Sequence, residues 1–138
     1  MPNRAMEFHD STFGGFDQDG ADGADLTLRF SAAYIHESEG KPGLDAGVDW
    51  IQEVRLNFQD ASITGAMSQL PCYLWDGQLS LGDESMQMVP IPLEFTGKVK
   101  LKLVENGEVD GAIEVTAAHV QMELRGEPKS FEKFPGLR

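Results

Sequence analysis

Three histidines, His9, His36 and His119, are the side chains best suited to acid–base or metal chemistry near neutral pH, and Asp10 adds a carboxylate beside the first. None forms a close-spaced HxH or HExxH pair, so a shared site would require convergence in space, and no metal or cofactor is expected. His9-Asp10-Ser11 has the residue types of a hydrolase triad. Consecutive strand residues point to opposite faces, however, so these three cannot form a nucleophile–base–orienter chain. The expectation is that Asp10 or Ser11 bonds backbone groups while His9 stays half exposed. No GxSxG elbow, Walker loop or dinucleotide fingerprint occurs.

The acidic run from Asp17 to Asp25 invites a calcium reading but fails the EF-hand template. With Asp17 first, Ala21 takes the fifth position, Asp22 the sixth where Gly is required, and Arg29 the twelfth where Glu is required. Cys72, the only cysteine, has apolar neighbours in Leu70-Pro71-Cys72-Tyr73-Leu74-Trp75 and reads as a packed, inert thiol that excludes an intramolecular disulfide.

His36 is the most suggestive histidine. Leu26, Leu28 and Phe30 alternate with Thr27, Arg29 and Ser31, the period of a half-buried strand. If that alternation persists, Tyr34, His36 and Ser38 continue the inward face and stand at the mouth of an apolar interior. If Ala32-Ala33 holds a bulge, Ile35 turns inward and His36 outward. Trp50, Tyr73 and Trp75 flank loops, as a binding patch or as core lids. The ligand-binding candidates are therefore His9, Asp10, Tyr34, His36, Ser38 and Trp50, with no catalytic residue assigned.

The elements that must position them are strands. Asp25 to Ser38 and the alternation of Val54, Leu56 and Phe58 with Arg55, Asn57 and Gln59 mark two. Val99, Leu101 and Leu103 alternate with three lysines, and Asn106-Gly107 then turns the chain toward Ile113 and Val115. The apolar faces match if Leu101 pairs with Ile113 and Val99 with Val115, which requires a longer turn or a bulge near Asp110-Gly111. Ile113, Val115 and Ala117 have one parity and Val120, Met122 and Leu124 the other, so a second bulge is expected near Ala118. Weaker strands are Met6 to Phe13, Tyr73 to Leu81 folded about Asp76-Gly77, and Met86 to Phe95, where Pro90 and Pro92 demand an edge or a break. Residues 128–138 read as a tail docked through Phe131 and Phe134, with a short helical turn allowed. The expected fold is all-β and mainly antiparallel, one domain over 1–138, with about eight strands in a barrel or sandwich.

Lys and Arg number 11 against 23 Asp and Glu, a net charge of −12. That balance opposes nucleic acid and anionic membranes. Ten of the acids lie between Glu7 and Asp49, with only Arg29 and Lys41 as bases, a stretch suited to a basic partner or simply to solubility. The start, MPNRAMEFHD, lacks the apolar core of a signal peptide, and the cytoplasm is the expected compartment.

Glu7-Phe8-His9-Asp10-Ser11, Leu26-Thr27-Leu28-Arg29-Phe30 and Tyr34 to Gly43 resemble a family of small uncharacterised bacterial proteins that begin with an FHDS-like strand. The resemblance covers residues up to about Gln59. It implies a bacterial source and a stand-alone domain, and brings no activity or catalytic residue. Two functions are expected: a non-enzymatic binding module with an acidic face for a basic partner, or a small-ligand or metal-dependent enzymatic site at a barrel mouth around Tyr34 and His36. A homodimer through an uncovered edge or the Trp50 patch is a third arrangement.

Overall fold

The computed structural model describes residues 2–107 and 111–137. Its strands are β1 (Asn3–Asp19), β2 (Asp25–Ser38), β3 (Gly47–Gln59), β4 (Ser62–Ala66), β5 (Cys72–Leu81), β6 (Glu84–Met86), β7 (Met88–Ile91), β8 (Glu94–Glu105) and β9 (Ala112–Phe134), with one 3-10 turn at Ala21–Gly23. All nine belong to one antiparallel sheet. Six close a ring in the order β1-β2-β3-β9-β8-β5 and back to β1, so the fold is all-β as expected. Among the described residues no helix is long and apolar enough to cross a membrane.

The alternating apolar residues meet inside the ring. Phe13, Phe30, Phe58, Leu28, Leu56, Leu79, Leu101 and Val115 are all buried and form one core. A six-stranded ring is narrower than the eight-stranded barrels whose interiors side chains just fill or that hold one small ligand, so this interior is packed rather than hollow.

The β8–β9 hairpin keeps the expected faces but not the expected partners. Leu103 pairs with Ile113 and Leu101 with Val115, two residues beyond the apolar match inferred from sequence. β8 ends at Glu105 and β9 begins at Ala112, and Glu105 N–H donates to Gly111 O. The longer turn or bulge expected near Asp110-Gly111 falls on residues 108–110, which lie outside the described residues. Near Ala118 the ladder is irregular, and the extra residue sits on β8, where Gly97 and Lys98 oppose Ala118. Gly97 takes φ +143, open to glycine.

Two other expectations need correction. β5 does not fold about Asp76-Gly77. It runs straight through them, because both keep partners on β8, Val104 and Leu103. The segment from Pro128 forms no helical turn: β9 continues to Phe134, where Gly47, Val48 and Asp49 of β3 pair with it. Phe131 lies against Trp50, with ring centroids 5.6 Å apart, and Phe134 against His36 at 5.7 Å. Pro90 does fall on β7, a strand paired among the described residues only with β1, and β7 ends before Pro92.

Candidate functional site: a seam in the barrel wall

The site is built by an arch in β1. Glu7 pairs with Tyr34 and the next pair is Thr12 with Ala32, so four residues, Phe8 to Ser11, span a stretch that Ala33 alone covers on β2. Asp10 turns the arch at φ 69, a conformation that Asp tolerates better than most residues. An arch strips ladder hydrogen bonds, and Ser11 replaces them. Its buried hydroxyl donates to Glu7 O (2.6 Å) and accepts from Tyr34 N–H (2.9 Å).

The same arch lies at the weakest join of the ring. β1 and β5 share two pairs, Thr12 with Tyr73 and Phe13 with Cys72. Beyond them the strands part, and β7 pairs with β1 while β6 pairs with β5. Phe8 fills the parting from within. Its ring lies so close to Gly77 that a Cβ there would come 2.5 Å from Phe8 Cγ. From without, His9 crosses the seam: Nδ1–H donates to Trp75 O (2.6 Å) and its ring meets the Trp75 ring edge-on at 5.3 Å. Because a carbonyl can only accept, the bond fixes the proton on Nδ1. Asp10 Oδ1 lies 3.5 Å from Nε2.

Beside the seam, the outer wall carries a buried polar chain. His36 Nδ1 bonds Asp49 Oδ1 (2.7 Å) and Nε2 bonds Glu7 Oε1 (2.9 Å), while Tyr34 OH donates to Asp49 Oδ2 (2.9 Å). With a carboxylate at each nitrogen, the ring satisfies both by carrying both protons, as an imidazolium. Burial alone lowers the pKa of His36 and is the largest single effect, but the hydrogen bonds and charges of Glu7 and Asp49 together outweigh it and leave His36 above its ordinary value. Burial, reinforced by the bond to Asp49, pushes the Tyr34 phenol up. Tyr34 stacks on His36 at 4.8 Å, and Gly43 (φ +81) roofs the imidazole, where a Cβ would strike Met88.

His36 thus combines the two readings of its sequence. The bulge exists: Ser31 and Ala32 face only Glu53 on β3, so Ala33 and Ile35 turn into the core. His36, Tyr34 and Ser38 are left on the outer side of the wall, not at the mouth of the barrel. His36 and Ser38 are buried all the same, under the 39–46 loop, where Ser38 Oγ donates to Ala46 O and accepts from Gly40 N–H.

Glu7 is where this chain meets solvent. A surface cleft of about 340 Å³ is lined by Glu7, His9, Asp76, Lys41 and Met88, among others. Oε1 of Glu7 is held by His36, and Oε2 has no hydrogen-bond partner among the described residues. Among the described residues no hydroxyl or thiol lines the cleft, so they offer a positioned carboxylate and a tautomer-fixed imidazole without a Ser, Thr or Cys nucleophile.

Of the sequence candidates, Tyr34 and His36 touch directly, and Ser38 lies beside them under the same loop. His9 shares the cleft with Glu7, and Asp10 flanks His9. Trp50 stands apart. It is 6 % exposed, capped by Phe131 and by Arg4, whose guanidinium sits 5.7 Å from the ring. His119 is three strands round the ring from β1, sharing a hydrogen bond with Thr96. Among the described residues no group of three His, Cys, Asp or Glu could hold a metal ion. Sequence reasoning missed Glu7 and Asp49. Their one signal was an acid at each end of the acidic stretch, on strands that flank the one bearing His36.

Comparison with known proteins finds no matching family, no similar characterised protein and no similar solved structure.

Proposed function

We propose that this chain is a non-enzymatic binding module whose acidic outer face receives a basic partner, with the Glu7 cleft taking one of the partner's cationic side chains. The observation that carries the reading is the placement of Glu7: a carboxylate held by the buried His36 ring, with an oxygen left for a ligand at the edge of a cleft that also holds Asp76. A carboxylate that need not be ordered on binding forms a stronger charge-assisted bond to an ammonium or guanidinium. The net charge of −12 favours cationic partners over anionic ones. The other reading, small-ligand or acid–base chemistry at Tyr34 and His36, is weaker because both nitrogens of His36 are already engaged by carboxylates. The buried free thiol of Cys72 suits a reducing compartment such as the cytoplasm of a bacterium.

The test is fluorescence anisotropy with a labelled hexa-arginine peptide, and a hexaglutamate peptide as control. The arginine peptide binds and the glutamate peptide does not. Glu7→Gln weakens binding about tenfold, the loss of one charge-assisted bond, whereas Asp19→Asn at the exposed β1–β2 tip changes it less than about twofold. Equal effects of the two substitutions would reduce the interaction to unspecific charge attraction.

A further inference from the structure

We infer that the outer face carrying Trp75 and Tyr73 is a docking surface for an extended, arginine-bearing polypeptide segment; this rests on the basic-partner reading of the adjoining Glu7 cleft. Trp75 is 58 % exposed and Tyr73 66 %. Large rings are among the residues that solvent exposure disfavours most, and they dominate the energetics of interfaces.

Their exposure is built in. Leu74 pairs with Glu105 and Asp76 with Val104, so Trp75 is the unopposed residue of a bulge, a device that re-aims a side chain. The carbonyl thereby freed from the ladder takes the His9 hydrogen bond, and the His9 ring braces the indole edge-on. The indole is therefore held in place before any partner arrives, which lowers the ordering penalty of binding. Tyr73, two residues earlier, projects from the same face about 7 Å away at the rise of a strand.

The rim selects the partner. Asp10 lies beside His9, and Asp76 and Glu7 line the adjoining cleft, where the two carboxylates outnumber its one lysine, Lys41. A guanidinium stacks on an indole or phenol face while its N–H groups reach a carboxylate, which a neutral sugar stacking on the same rings does not exploit. Past Tyr73 a second hollow of about 250 Å³ is lined by Thr12, Gln69 and Asn106. The track from cleft to hollow follows β5 and suits an extended segment of about four or five residues.

The experiment uses the full chain and a labelled hexapeptide of alternating glycine and arginine, followed by anisotropy and by tryptophan emission, in which Trp75 is the exposed reporter and Trp50 the buried one. Binding changes the Trp75 emission. Trp75→Ala weakens binding at least tenfold, Trp75→Phe recovers part of the loss, and the lysine version of the peptide binds at least threefold more weakly. Far-ultraviolet circular dichroism checks the fold, and if Trp75→Ala does not fold, Tyr73→Ala at the more exposed ring carries the test. Full-strength binding to a folded Trp75→Ala, with loss in Glu7→Gln, overturns the docking surface and leaves the cleft reading standing. Loss in Trp75→Ala with none in Glu7→Gln supports the surface and overturns the cleft reading. No binding of the arginine peptide to the wild-type chain overturns both, and Trp75-dependent binding of cellohexaose tighter than that of the peptide makes the face a sugar platform and overturns this inference alone.

Discussion

Ser11 shows how much a single hydroxyl can hold. It satisfies Glu7 O and Tyr34 N–H where the arch of β1 has removed their strand partners. Ser11→Ala leaves both unpaired in a buried place, and we expect a loss of about 1–3 kcal/mol in urea unfolding, with Ser11→Thr losing less if the added methyl is accommodated. His36 makes a second prediction. Its folded pKa lies above the ordinary 6.5, so the folded chain holds a proton that the unfolded chain releases first. The stabilisation is fully present below about pH 6.5 and is lost as pH rises through the folded value. Stability should thus fall from neutral pH upward, and His36→Gln should flatten that slope. A slope unchanged in the variant would show that another group is responsible.

At the scale of elements, the strands that form were readable wherever apolar residues alternate, and the site is built where two of them, β1 and β2, depart from regular pairing. Leu26 to Phe30 and Val54 to Phe58 read correctly because each presents one unbroken face to the core. The arch at Phe8 to Ser11 did not, because a four-residue excursion looks the same in sequence as continued strand. Whether it exists depends on what β2 offers opposite it. The bulge at Ser31-Ala32 was readable as one of two choices, since two alanines fit either face, and the cover over His36 was not readable because a loop's path leaves no periodicity in residues 39–46 and because Phe134 comes from far along the chain. The β8–β9 register failed for a related reason: matching apolar faces constrains a hairpin only to within two residues. The Phe8–Gly77 contact gives an element-scale prediction. Gly77→Ala forces the Phe8 ring aside and should destabilise by about 1–3 kcal/mol, the usual result of overpacking. Phe8→Leu in the same chain should cancel part of that loss, and a double-mutant cycle showing simple additivity would mean that the two residues do not oppose each other across the seam.

Over the whole molecule, charge is segregated. The acids Asp17, Asp19, Asp22 and Asp25 cluster at the β1–β2 tip, whereas Lys98, Lys100 and Lys102 line the outer face of β8. With an excess of 12 negative charges, added sodium chloride should raise the melting temperature by screening self-repulsion, and should weaken arginine-peptide binding over the same range. A stability indifferent to salt would show that self-repulsion among the acids contributes little to it. The two-pair join between β1 and β5 has a further consequence. Cys72, the chain's only thiol, occupies one of those two pairs, opposite Phe13. Burial, and then the charge of Glu105, holds its pKa above the ordinary thiol value, so it is unreactive while the wall is shut. The protein therefore carries a built-in gauge of its own breathing: the rate at which a thiol reagent labels Cys72 reports the opening of this one stave, without touching the rest of the barrel.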